Sequence, residues 1–303
     1  MGESDHTVLT VSNLSKRFGR IKAVDHLSFS VEQGTVYGLL GPNGSGKTTT
    51  LGIVLGVIEA GEGGYKWFGQ SPSTDQRKEI GAMLEQPLFY PYLPAVENLK
   101  IICRIKNVPF SDIDRVLTLT ELSERKNSRF RTFSYGMKQR LAIAAALLGH
   151  PKALILDEPT NGLDPKGISE IRNLIKNIAS EGITIILASH LLDEVQKVCS
   201  YVAVLQKGKK IFEGAVSDIA HRNTQIELAA TDLSLLDGIV KKFPGYSRSE
   251  NFDDYILVQI KQGFSVTDLH RFLIDHHLVL SHLNIRKKTL EEQFLELLEE
   301  KES

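Results

Sequence analysis

The residues most able to do chemistry here are "GPNGSGKT", Gly41, Pro42, Asn43, Gly44, Ser45, Gly46, Lys47 and Thr48, with Thr49 next in line. The run fits G-x-x-x-x-G-K-[ST], a pattern whose chemistry is phosphate binding. Its glycines let the backbone curl so that successive N–H groups point inward. A helix starting near Lys47 adds about half a positive charge at its N-terminus. Lys47 is then in reach of β- and γ-phosphates, and the Thr48 hydroxyl is a candidate Mg²⁺ ligand.

A second group lies in "ALILDEPT", an apolar strand ending in two acids. Carboxylates at the end of a buried strand are costly unless they meet a cation or solvent. Asp157 is the candidate to hold Mg²⁺ through water, and Glu158 the candidate to orient or deprotonate an attacking water. His190 closes another apolar strand, "GITIILASH", and could bond a γ-phosphate oxygen, since strand ends converge on the ligand crevice in open α/β sheets. Gln86, just before Pro87, is a candidate to sense Mg²⁺ and the attacking water. Phe18 in "KRFGR" is a candidate to stack on adenine. Each also has a bland reading: hinge glutamine, strand-end aromatic, structural histidine.

"FSYGMKQR" opens onto the apolar "LAIAAALLG". Ser134 is placed to cap that helix, and the free N–H groups at its mouth make an anion site. The chain already has one phosphate loop, so a second anion site without its own loop points to the nucleotide of another copy.

The elements that must hold these residues are legible as patterns. "TVLTVSNLSKRFG" and "AVDHLSFSV" alternate like half-exposed strands, and "TVYGLL" reads as a buried one. Residues from Pro87 to about His150 are helical, including "AVENLKIICRIKNV" and "SDIDRVLTLTEL", the latter capped by Ser111 or Asp112. "KALILDE", "GISEIRNLIKNIAS" and "GITIILASH" form a βαβ unit, hence a parallel sheet. "YVAVLQKGKKIFEG" reads as a hairpin turning at Lys207-Gly208. Beyond about Arg222, strands "IELAA", "DYILVQI" and "LVLSHLNIRK" alternate with helices "LSLLDGIVKKF", "SVTDLHRFLIDHH" and "TLEEQFLELLEEK". That is enough for a small separate α/β module over 223–303.

The 303 residues carry 36 basic and 37 acidic side chains, a net charge of −1. Nothing in that balance suggests nucleic acid or an anionic membrane as a partner. Cys103 and Cys199 read as core thiols of a reducing compartment. No secretory signal is visible, and no apolar run approaches the roughly 20 residues that span a bilayer. If the protein works at a membrane, other chains supply the spans. His270, His276, His277 and His282 read as a solvated surface, because no cysteine or paired acid completes a ligand set.

In this order, "GPNGSGKT", Gln86, "FSYGMKQR", "LILDEP", "GLDP" and His190 resemble the ATP-binding subunit of ABC transporters over residues 7 to about 220. That family reads the third block as Leu-Ser-Gly-Gly-Gln. Phe133, Ser134, Tyr135, Gly136 and Met137 stand in those places, so Tyr135 and Met137 depart from the common form. The variant, with a closing "TLEEQFLELLEE", resembles the branch serving drug, antibiotic, lipid or polysaccharide exporters with separate membrane subunits. The resemblance implies an α/β P-loop NTPase domain over 1–222: a parallel core sheet, an antiparallel N-terminal sheet and a helical subdomain at about 87–150. It implies two copies, or a paired ATPase subunit, packed head to tail around two MgATP. Ser134 and Gly136 would act on the other copy's nucleotide, and Asp164 would link the two sites. Integral membrane permease subunits would take up the motion through the segment after Gln86, placing the chain in the cytoplasm against the inner face of the membrane. The competing readings are a soluble ATPase of the same type and a nucleotide-gated regulatory module. One phosphate loop, no heptad run and no basic patch speak against the first; retained Glu158 and His190 speak against the second.

Overall fold

The computed structural model describes residues 6–84, 88–217, 224–261 and 263–287. The chain divides into two compact units, Met1–Val216 and Ser217–Ser303.

In the first unit, long strands β1 (Thr7–Phe18) and β2 (Ile21–Glu32) form an antiparallel hairpin. β4 (Glu62–Trp67) adds to the other edge of β1, giving the order β2-β1-β4. One face of this sheet is buried, which is why β1 and β2 alternate in sequence.

The second sheet has six strands in the order β5-β6-β7-β3-β8-β9. They are β3 (Val36–Leu40), β5 (Ile80–Met83), β6 (Ala153–Asp157), β7 (Thr184–Ser189), β8 (Tyr201–Gln206) and β9 (Lys209–Ala215). The first five in that order run parallel, and β9 returns antiparallel to β8. Every residue of β3, β6 and β7 is buried. Such strands read as continuous apolar runs because both faces are covered.

Helix α1 (Lys47–Val54) contacts β2 and β6, and a core of Leu14, Leu27, Leu39, Leu51 and Ile155 lies between the two sheets. Trp67 is fully buried there, and its indole N–H donates to the Val54 carbonyl at 2.8 Å. That bond satisfies an acceptor the helix end leaves open. A short α2 (Thr74–Lys78) precedes β5.

The helical segment holds α3 (Ala95–Lys106), α4 (Asp112–Leu119) and α5 (Tyr135–Leu147). α5 is buried on all sides from Gln139 onward, matching its apolar run from Leu141, and it packs on β5 and β6. Its C-terminal carbonyls are held by cations. Lys106 Nζ donates to Ala145, Ala146 and Leu148 at 3.2, 3.0 and 3.1 Å, and Arg115 Nη2 donates to Leu147 at 2.9 Å. Positive charge there also suits the helix dipole. Ser111 occupies the N-cap position of α4 but makes no capping bond. Asp112 does not cap α4 either: its carboxylate accepts from Arg115 Nε at 2.5 Å and from Gly149 N at 2.8 Å. The expected cap is therefore replaced by a tie between α4 and the residue that follows α5.

α6 (Pro165–Ser180) joins β6 to β7, and α7 (Leu192–Val198) packs on β3 and β7. The β8–β9 turn falls at Lys207-Gly208, both with positive φ (48° and 81°), as a two-residue hairpin turn requires.

The second unit runs β10 (Thr224–Ala230), α8 (Leu233–Val240), β11 (Tyr246–Asn251), β12 (Ile256–Ile260), α9 (Val266–Asp275), β13 (Leu280–Lys287). Its sheet is antiparallel in the order β11-β12-β10-β13, a split βαβ arrangement. Ile226, Leu228, Val258, Leu236, Val240 and Leu269 build its own core. β11, "YSRSEN", was not foreseen as a strand; it is an edge, exposed along most of its length and without apolar alternation. The helix expected over "TLEEQFLELLEEK" lies outside the described residues. Among the described residues no three histidine, cysteine or acidic side chains gather to hold a metal, and no helix is long and apolar enough to cross a membrane.

Candidate active site

The phosphate-loop sequence leaves the C-terminal end of β3 and turns into α1. Gly46 is the N-cap residue, at φ 105°. A side chain there would be strained, and its Cβ would lie 2.4 Å from the Ala23 carbonyl oxygen. At Gly41 a Cβ would come 2.3 Å from the Leu205 oxygen, so close packing rather than φ demands glycine. The loop is anchored from outside: Gly41 N donates to Ser189 O at 3.3 Å, and Gly208 N donates to Ser45 O at 3.0 Å. Ser45 Oγ is buried and makes no hydrogen bond.

Lys47 is buried with its ammonium folded into the loop. Nζ donates to Gly41 O at 2.7 Å and to Pro42 O at 3.3 Å, and stands 3.5 Å from Glu158 Oε1. Next to it, Thr48 Oγ1 donates to Asp157 Oδ2 at 2.8 Å. Asp157 is 2 % exposed at the end of β6. Glu158 follows with φ 49°, a conformation that non-glycine residues seldom adopt and that clusters at functional sites. Its N–H donates to Ala188 O at 3.0 Å, and its Oε2 lies 2.8 Å from His190 Nδ1. The strand ends of β3, β6 and β7 thus bring Lys47, Thr48, Asp157, Glu158 and His190 together. The sheet order explains it: β7 lies between β3 and β6.

An open cleft of about 480 Å³ lies over the loop, lined by Asn43, Gly44, residues 46–49 and Glu158, by residues 21–23 of β2, and by Lys207. Residues 21–23 and Lys207 escaped the sequence reading. Strand and turn were both visible, but the turn reaches the loop because β8 pairs with β3, and β2 reaches it by docking on that turn, Asp25 N donating to Gly208 O at 2.8 Å. Lys22 pairs with Asp25, and together with His26 it holds the Asp25 carboxyl at about 2. Phe18 does not line this cleft. It sits at the hairpin tip, 49 % exposed, paired in register with Ile21, with Lys16 Nζ 5.5 Å from its ring centre. Gln86 lies outside the described residues.

Ser134 and Gly136 are at the mouth of α5, away from the cleft lining of the same chain. Ser134 caps the helix, its Oγ accepting from Met137 N at 3.3 Å. Asp164 caps α6, its Oδ1 accepting from Gly167 N at 3.0 Å. The helix of "FSYGMKQR" starts at Tyr135, directly after its Ser134 cap.

A phosphate loop, a strand-end Asp–Glu pair and a strand-end His on a mostly parallel sheet define a P-loop nucleotide-binding domain. The family model of the ABC transporter matches residues 24–161. An uncharacterised ABC transporter ATP-binding protein of Bacillus subtilis is 38% identical, over 96% of each chain. The bacitracin transport ATP-binding protein of Bacillus licheniformis is 35% identical over 96% of this chain and 97% of its own. Among solved structures, cbiO1 from Clostridium perfringens, part of the ABC transporter complex cbiONQ, superposes with TM-score 0.66 at 29% identity, over 71% of this chain and 90% of that one. The chain belongs to the ATP-binding subunits of ABC transporters, and is an ATPase of that family.

Proposed function

We propose that this ATPase powers export of a substrate through separate integral membrane subunits, working as a pair of ATP-binding chains at the inner face of the membrane. The observation that carries the reading is the convergence of Lys47, Thr48, Asp157, Glu158 and His190 at three adjacent strand ends. Full-length similarity to proteins named for bacitracin transport and linearmycin resistance supports the export branch.

In this reading the N–H groups of Gly44 and of residues 46–48 and the α1 dipole bind the phosphates, and Lys47 reaches the β- and γ-groups. Mg²⁺ fits the donors present. Thr48 and Asp157 offer oxygen atoms only, and Mg²⁺ takes one or two such protein ligands and fills its shell with phosphate and water. When bound, it neutralises phosphate charge. Glu158 accepts the proton of the attacking water, and His190 orients that carboxylate from its other side. Ser134 and Gly136 contact the γ-phosphate held by the second copy, so ATP favours the closed pair by contacts that exist only there.

The test is recovery of tagged chain from detergent-solubilised membranes, with mass spectrometry of what accompanies it, beside a steady-state assay of ATP hydrolysis. Integral membrane proteins in stoichiometric amount are expected. Hydrolysis without any membrane partner would favour the soluble ATPase instead.

A further inference from the structure

Tyr135 stands where the family's common form has glycine, and its ring has a definite place. A methyl group built on Gly162 would lie 3.3 Å from Tyr135 Cε1 and 3.6 Å from Cζ. The ring therefore rests on the Gly162 backbone. One residue on, a methyl built on Gly136 would meet Leu163 Cδ2 at 3.6 Å. So the first turn of α5 sits on the segment 162–163. That segment leads from Glu158 to Asp164, and it is stiffened by Asn161 N donating to Glu158 O (3.1 Å) and Leu163 N donating to Thr160 O (3.2 Å). The far end of the tyrosine is pinned too. Its hydroxyl accepts from Gln139 Nε2 at 3.3 Å, and Gln139 is 1 % exposed with an Oε1 that makes no hydrogen bond. Rotating the tyrosine away would leave a second buried polar group of Gln139 unsatisfied, which disfavours alternative placements.

We propose that Tyr135 is a positioning residue that locks the mouth of α5 to the 158–164 segment, so that a contact made at Ser134 is felt at Glu158 within the same chain. The inference rests on the proposed function, which makes Ser134 the contact to a second copy's nucleotide. Glycine at this place has no atoms with which to make the link. The ring carries the coupling; the hydroxyl serves only to hold the ring.

Three measurements test it: affinity for MgADP at low protein concentration, kcat for MgATP, and the thermal midpoint. In Tyr135→Ala, MgADP affinity stays within about twofold because the phosphate loop is untouched, while kcat falls about tenfold, as small misplacements of catalytic groups produce. Tyr135→Phe keeps the ring and recovers most of kcat, with a lower thermal midpoint from the unsatisfied Gln139 amide. Tyr135→Leu, which fills the space without a flat ring to rest on Gly162, keeps a kcat close to that of Tyr135→Ala. Unchanged kcat in Tyr135→Ala overturns the inference. So does a parallel fall of MgADP affinity, kcat and thermal midpoint, which would make the tyrosine a packing residue only. A wild-type chain that binds no MgADP would instead overturn the proposed function, and the wild-type control reads that separately.

Discussion

Glu158 Oε2 and His190 Nδ1 are 2.8 Å apart, which ties the end of β6 to the residue just past β7 through one carboxylate–imidazole pair. The same carboxylate faces Lys47 with its other oxygen, at 3.5 Å. Glu158→Gln keeps the shape and a hydrogen-bonding group but cannot take a proton at neutral pH. Hydrolysis is expected to fall by about 10²–10⁴ while MgATP binding persists. The variant should then accumulate as a nucleotide-bound pair on gel filtration. Only monomer at high protein and ATP concentration would count against the paired model.

Lys47 donates at 2.7 Å to the Gly41 carbonyl from within the loop it serves. Lys47→Ala removes a charge-assisted bond worth about 1.5–3 kcal/mol, roughly a ten- to hundredfold loss of affinity. Equilibrium binding of MgATP is expected to weaken by that much, and turnover to disappear. Unchanged turnover would sink the phosphate-loop assignment.

Ser134 combines two roles that one substitution separates. As the N-cap of α5 it accepts from Met137 N, and Ser134→Ala should cost about 1 kcal/mol in a chemical denaturation experiment. Affinity for nucleotide in the monomer should stay nearly constant. Closure should need more ATP, read by titrating the pair formed in the Glu158→Gln background. A large loss of monomer affinity would place Ser134 in the wrong site.

Lys106 gives a pH signature. Burial pushes its ammonium down to about 8, and nearby Cys103 and Asp112 only partly offset this. The unfolded chain keeps lysine near its ordinary value of about 10.4. Between those values the unfolded state binds more protons, so this group adds stability as pH rises from about 8 to 10.4, and withdraws it as pH falls. Urea midpoints at pH 7.5 and 9.5 should show that rise. Lys106→Met should flatten it and also lower stability at both pH values, because three carbonyls at the C-terminal end of α5, those of Ala145, Ala146 and the C-cap Leu148, lose their donor. An equal slope in wild type and variant would refute this account.

The convergence of Lys47, Thr48, Asp157, Glu158 and His190 was readable because each member is announced by its neighbours: glycines and Lys-Thr after an apolar strand, Asp-Glu after another, His after a third. What local sequence hides is lateral order. Nothing around Ile21–Ala23 or in Lys207-Gly208 says that they border the same cleft; the pairing of β3 with β8 and the bond from Asp25 N to Gly208 O decide it. Phe18 sits at the hairpin tip, paired in register with Ile21, which borders the cleft. Asp112 looked like a cap, but a long-range partner, Gly149 N, claims it. In the second unit, β11 escaped because an edge strand exposed along most of its length has no apolar alternation to display. Tyr135 was visible as an anomaly; its meaning required knowing that Gly162 lies beneath it.

The place of β3 between β7 and β8 has a consequence for biosynthesis. A nascent chain has made its whole phosphate loop by Thr48, yet the neighbours that hold it come from residues 184–189 and 201–206, and the hook on Ser45 from Gly208. Until residues 184–208 are made, the loop lacks the strands and the turn that hold it in the finished fold. A nucleotide that binds the finished loop therefore stabilises chains that have completed β8 and its turn.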